Sequence, residues 1–295
     1  MVTALEAAFV LLAVSTGAVQ LLFGTFHVEL FRTVYGLDAT AFAAGHAVYA
    51  VWNTANDLGS GVVADRMAAR VGGSRVPLAR AAGLLWVTVG FLFPWWRWTA
   101  LMPLPVQFVA ALSLFDGFYS FVAIVEGALL AELATDTASR ARIGRLTSIA
   151  SMLVLPLVSR LGFAAWDVDD LSAFRALASC VSCVAAVGVA TGSWLMERHG
   201  RGGRPAAAPA PRYGTLPLDP ATTTACASCR DAVAQAGPGL SHRNFLAFCG
   251  MDSLLEAENV FQNAFRLTFA SALLPAAGWS PAQIGNLLSA IPTVS

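Results

Sequence analysis

Apolar residues run in blocks long enough to cross a bilayer, and short arginine-bearing segments separate them. A spanning helix needs roughly 20 mostly apolar residues. Such blocks are expected at about 7–30, 40–63, 81–97, 105–133, 144–166 and 171–196, with a seventh at about 243–275. The third ends in Trp95, Trp96 and Trp98, which read as an aromatic belt at a membrane surface. Near the end, Ser280 can cap a helix with Pro281 at its first position, and the sequence stops a few turns later. The pattern predicts an all-α polytopic membrane protein. It would hold a six-helix bundle over 1–197, a linker over 198–242, and a partial second bundle over 243–295 with helix seven and the start of helix eight.

Composition agrees with lipid as the solvent. Of 295 residues, 57% are hydrophobic and 12% charged, with a mean hydropathy of +0.64. A soluble domain carries about twice that charged fraction. Net charge is zero, which gives no footprint for nucleic acid. Every basic residue is arginine. The N-terminus lacks a cationic leader, and Glu6 is the one charge before the first apolar run, so no secretory signal is read there. Residues 198–240, rich in Ala, Pro, Gly and Thr, cannot bury a core and read as a flexible linker.

Arginine placement tests the span count. Arg66, Arg70, Arg75 and Arg80 fall between spans two and three, and Arg140, Arg142 and Arg145 between four and five. Arg198, Arg201, Arg204, Arg212, Arg230 and Arg243 fall between six and seven. The opposite loops hold Arg32, Arg97, Arg160 and Arg175. By the positive-inside rule the N-terminus and the three arginine-rich loops are cytoplasmic.

Polar side chains inside the spans are the candidate chemistry, because ionisable groups in lipid are costly and usually face a bundle interior or wet cavity. Asn53 and Asp57 are four apart on one helix face, and Asn56 joins them. Asp116 lies deep in span four, with Glu126 and Glu132 nearer its cytoplasmic end. Asp57 is read as an ion, proton or substrate site, against the alternative of an interhelical hydrogen bond or ion pair. For Asp116 the two readings stand level. His27, Glu29, Arg32 and His46, near the outer interface, read as structural, and Glu132, Asp136 and Arg140 as a solvated helix end. Asp252, Glu256, Glu258, Asn259, Gln262, Asn263 and Arg266 in span seven could line a cavity or mark a helix that inserts poorly alone.

Other motifs are weak. Cys180 and Cys183 lie in an apolar helix, and Cys226 and Cys229 have the spacing of half a zinc or redox site with no second pair beside them. No disulfide framework, cofactor or metal site is implied, and no motif supports an enzyme.

Gly61, Asp65, Arg66 and Arg70 in the pattern G-x-x-x-D-R-x-x-x-R resemble the major facilitator superfamily, which places such a motif after its second helix. "WNTANDLGSG" resembles the W-N-x-x-N-D-P-x-x-G of the glycoside–pentoside–hexuronide:cation symporter branch, which includes melibiose/sodium and lysolipid symporters. "EGALLAELATDTASRAR" is similar to that branch's motif after helix four. "LSLFDGFYSFV" and "DDLSAFRALA" most resemble its orphan transmembrane protein 180 family.

The resemblance implies twelve helices in two bundles rocking around a midplane site. The sequence would then lack helices nine to twelve, and a truncated gene model is expected. It also implies a cation site of two carboxylates on helix two and one on helix four, where this chain has Asn53, Asp57 and Ala123. Leu58 replaces the proline after the aspartate. Coupling to sodium is therefore doubtful, and coupling to a proton through Asp57, or none, stays open. Asn53, Asn56, Asp57 and Asp116 are the expected binding residues, and Gly61, Asp65, Arg66 and Arg70 the cytoplasmic latch. The expected function is secondary transport of a small organic solute, sugar-like or lipid-like, with the bilayer as partner and a proton or cation as candidate coupling ion. The competing readings are a transport-inactive membrane scaffold and a non-functional fragment.

Overall fold

The computed structural model describes residues 3–70, 74–134 and 136–200. Two compact units partition the chain, and every described residue belongs to the first. The linker, span seven and the Ser280–Pro281 cap lie outside the described residues.

Six long helices are present among the described residues. Helix α1 spans Ala4–Glu29 and runs on through a π-helical turn, Leu30–Val34. Helix α2 is Ala39–Arg70. Helix α3 is Val76–Leu85, extended by a π-helical turn, Trp86–Gly90, and a 3₁₀ turn, Phe93–Trp95. Helices α4, α5 and α6 are Leu104–Leu133, Thr137–Ala165 and Ser172–Gly200. Five of the six are long and apolar enough to cross a membrane. The exception is α2, which has ample length, but Asn53, Asn56, Asp57, Asp65 and Arg66 dilute its apolar content. It is also longer than its apolar pattern predicts, because the helix continues through the polar Asp65–Arg66 pair to Arg70.

Polar side chains define the helix starts. Thr3 and Glu6 form a reciprocal capping box, Glu6 Oε2 accepting from Thr3 N at 2.8 Å. Asp38 Oδ1 accepts from the amides of Thr40 and Ala41 at 2.9 Å, and Asp136 Oδ1 from that of Ser139 at 2.8 Å. Gly36, at φ 74°, makes the turn between α1 and α2.

The helices pack in the neighbour order α2, α4, α3, α6, α1, α5. Close approach needs small residues, because lipid tails supply no hydrophobic drive between helices. The α1–α6 seam uses Gly188 and Gly192, one turn apart. A Cβ on Gly192 would sit 3.0 Å from the Ala8 carbonyl oxygen, and one on Gly188 would collide with Ser15.

The irregular end of α3 frees backbone carbonyls, and side chains from several elements satisfy them. Tyr35 donates to Pro94 O at 3.0 Å, Arg175 to Trp95 O at 2.8 Å, and Gln107 to Trp96 O at 2.7 Å. This corrects one expectation. Trp95 is not a membrane-surface residue but is fully buried, edge-on to Phe23, Phe91 and Phe174.

Candidate functional site

A cavity of about 520 Å³ opens between α1, α4 and α5, with Trp86 of α3 as its floor. Helix α1 contributes a face from Phe9 to Gln20, α4 one from Tyr119 to Leu130, and α5 one from Ile143 to Ser148. One turn beyond Gln20, Phe23 stacks on Phe115 of α4 with ring centroids 3.7 Å apart, and Phe115 also packs against Trp86. These rings pin α1 to α4 beyond the cavity, on the side away from the arginine-rich end.

The lining is mostly apolar, relieved by Thr16, Gln20, Tyr119, Thr147 and Ser148. Among the described residues, Glu126 is the one carboxylate in the lining. The Oε1 atom of Glu126 is buried and has no hydrogen-bond partner among the described residues. Trp86 is fully buried, and its indole N–H is also without a partner there.

Sequence reasoning placed Glu126 in span four without assigning it to the site. The signal that could have found it is its spacing from Ala123, where the resemblance to the symporters implies a helix-four carboxylate. Three residues apart on a helix, the two share a face, and both line the cavity.

The expected binding residues sit elsewhere. Asn53 and Asn56 lie where α2 meets α4. Asn56 Oδ1 faces Gly117, 3.7 Å from the position of a Cβ there, and Trp52 Nε1 donates to Ser113 O at 3.3 Å. Asn56 Oδ1 also accepts from Ser60 at 3.3 Å, while its Nδ2 and Asn53 Oδ1 are buried without partners among the described residues. Asp57 is exposed and Asp116 half-buried. None of the four lines the cavity. The structure thus brings Asn53 and Asn56 to the α2–α4 seam beside Asp116's helix, and leaves Asp57 on the outside of the described unit.

The latch residues are also divided. Asp65 Oδ1 accepts from Arg75 Nη2 at 2.7 Å, and the same guanidinium binds Glu132. Together these hold Arg75 above the ordinary arginine range, the Asp65 hydrogen bond most strongly. Arg66 and Arg70 are exposed, and a Cβ on Gly61 would meet nothing within 4 Å among the described residues. Glu132 is no solvated helix end, since Arg75 ties it to the α2–α3 connection. At the same end Arg80 pairs with Glu197 at 3.1 Å, and Arg142 pairs with Glu6, which is only 3% exposed. Arg140 donates to Ala134 O at 2.8 Å and closes the C-terminus of α4. His27 is buried, hydrogen-bonds Phe23 O at 2.9 Å and stacks on the Phe23 ring. Cys180 and Cys183 are free thiols on α6.

Comparison with known proteins places these features in a lineage. Residues 8–206, about two-thirds of the chain, match the family model described as MFS/sugar transport protein. Mouse transmembrane protein 180 is 28% identical over 200 residues, covering 64% of this chain and 38% of its own length. The chicken protein of the same name is 26% identical over 185 residues, covering 59% of this chain and 36% of its own. The chain therefore spans well under half the length of the curated relatives it matches. No solved structure matches it significantly. The six-helix unit, its apolar spans and the matched family model agree, and the chain belongs to the MFS/sugar transport protein family.

Proposed function

We propose that the protein is a secondary active transporter for a small organic solute, sugar-like or lipid-like, working by alternating access with a proton or cation as coupling ion. The observation that carries this reading is the cavity between α1, α4 and α5, with a half-buried carboxylate in its wall whose Oε1 has no partner among the described residues, in a chain of a transport family. A structural bundle has no need to keep such a group unpaired in lipid. Asn53, Asn56, Asp57 and Asp116 are assigned to substrate or ion binding, and Asn53 Oδ1 and Asn56 Nδ2, buried without partners among the described residues, support that assignment for the two asparagines. Gly61, Asp65, Arg66 and Arg70 form the cytoplasmic latch, with Asp65 held by Arg75. The end that carries Arg75, Arg80 and Arg142 faces the cytoplasm.

Uptake by the full chain in proteoliposomes tests this. Saturable uptake of a labelled glycoside or lysolipid is expected, and Asp57→Asn should abolish its coupling to an ion gradient. Wild-type coupling in that variant would remove Asp57 from the mechanism. A second reading, a transport-inactive membrane scaffold, draws on Asn53 and Ala123, which stand where the related symporters have carboxylates. It requires no saturable uptake and a stable protein partner.

A further inference from the structure

The charge balance of the cavity identifies a solute class. Among the described residues Glu126 is its one carboxylate, and no described arginine or histidine shares the lining. At the arginine-rich end Arg75 is engaged by Asp65 and Glu132, Arg80 by Glu197 and Arg142 by Glu6, while Arg145, beside the lining on α5, is exposed and does not line the cavity. Glu126 Oε1, buried without a partner among the described residues, is unfavourable as a bare anion, and a bound cation would relieve it. A neutral polyol can donate hydrogen bonds to Glu126 but cannot neutralise it, and an anion would be repelled.

The rest of the wall specifies the remainder of the ligand. Phe9, Val122, Leu130 and Ile143 present apolar surface, and the rings of Trp86 and Tyr119 can face a positive charge. A volume of about 520 Å³ is ample for a small amphiphile. The described lining offers no second carboxylate, and no group of three or more His, Cys, Asp or Glu that could hold a metal ion occurs among the described residues. A metal cation, which prefers several oxygen ligands, is therefore poorly served.

We infer that this cavity binds a monovalent organic cation with an apolar body, its charged nitrogen paired with Glu126. The inference rests on the transporter reading and narrows its solute.

The test uses the full chain in lipid nanodiscs with tritiated benzyltrimethylammonium as probe, and labelled methyl galactoside as a neutral comparison. Saturable binding of the ammonium probe is expected. Glu126→Gln should weaken it by about tenfold or more, the loss that follows from removing a charge-assisted contact. Glu126→Asp should retain most of it, and the thermal transition of both variants should stay near wild type, which separates lost binding from lost folding. Equal affinity in wild type and Glu126→Gln would overturn the inference. So would absence of ammonium binding: if methyl galactoside is then still bound saturably, the transporter reading stands without the cation, and if neither is bound, both fall.

Discussion

Asp65 on α2 and Glu132 at the end of α4 are bound to one guanidinium, that of Arg75. The two carboxylates differ in setting, Asp65 being 73% exposed and Glu132 26%. An exposed ion pair contributes about 0.2–1 kcal/mol, and the more enclosed one more. Arg75→Gln should therefore lower the thermal transition of the protein. In double-mutant cycles the Arg75–Glu132 coupling should exceed the Arg75–Asp65 coupling. Equal couplings would show that the half-buried setting of Glu132 has no energetic consequence.

The α1–α6 seam makes a sharper stability prediction. Gly188 and Gly192 have no room for side chains against Ser15 and Ala8. Overpacking a tight interface costs about 1–3 kcal/mol, so Gly188→Val should destabilise the fold. Gly24→Ala, where a Cβ meets nothing within 4 Å among the described residues, should be tolerated. Thermal unfolding in detergent separates the two, and matching transitions would mean that the seam is looser than described.

The cap of α5 carries a pH signature. Hydrogen bonds from the Ser139 side chain and backbone hold the Asp136 carboxyl below the usual carboxylate range. A depressed folded-state value stabilises above the unfolded value of about 3.9 and is lost as pH falls through the folded one. Amide exchange in the first turn of α5 should thus accelerate only at strongly acidic pH, and Asp136→Ala should remove that acid step. An acid step that persists in the variant would assign it to another carboxylate.

Topology can be read chemically. In a cysteine-free background, Ser139→Cys should react with an impermeant maleimide only when the cytoplasmic face is open, and Asp169→Cys only from the opposite side. The reverse pattern would invert the proposed orientation.

The helices were legible because their apolar blocks match the bilayer thickness, whereas the caps at Thr3 and Asp136 were not read from the sequence. What periodicity could not supply was the identity of the neighbour. It grouped Asn53, Asn56 and Asp57 on one face, but only packing shows that the asparagines meet α4 while Asp57 is exposed. Trp95 looked like a belt residue because sequence does not reveal that α3 tightens into a 3₁₀ turn and folds the indole inward. Glu126 was visible as a polar interruption, yet its meaning depends on α1 and α5 closing around it, which are long-range relationships.

Trans-stimulated uptake tests transport by this protein most directly. Proteoliposomes of the full chain would be preloaded with unlabelled solute from a panel of glycosides, lysolipids and small organic ammonium compounds, and entry of the labelled counterpart followed. Acceleration by internal solute, saturable in external solute, is the predicted result. A folded, correctly inserted protein that accelerates none of them would contradict the account and leave the scaffold reading in its place.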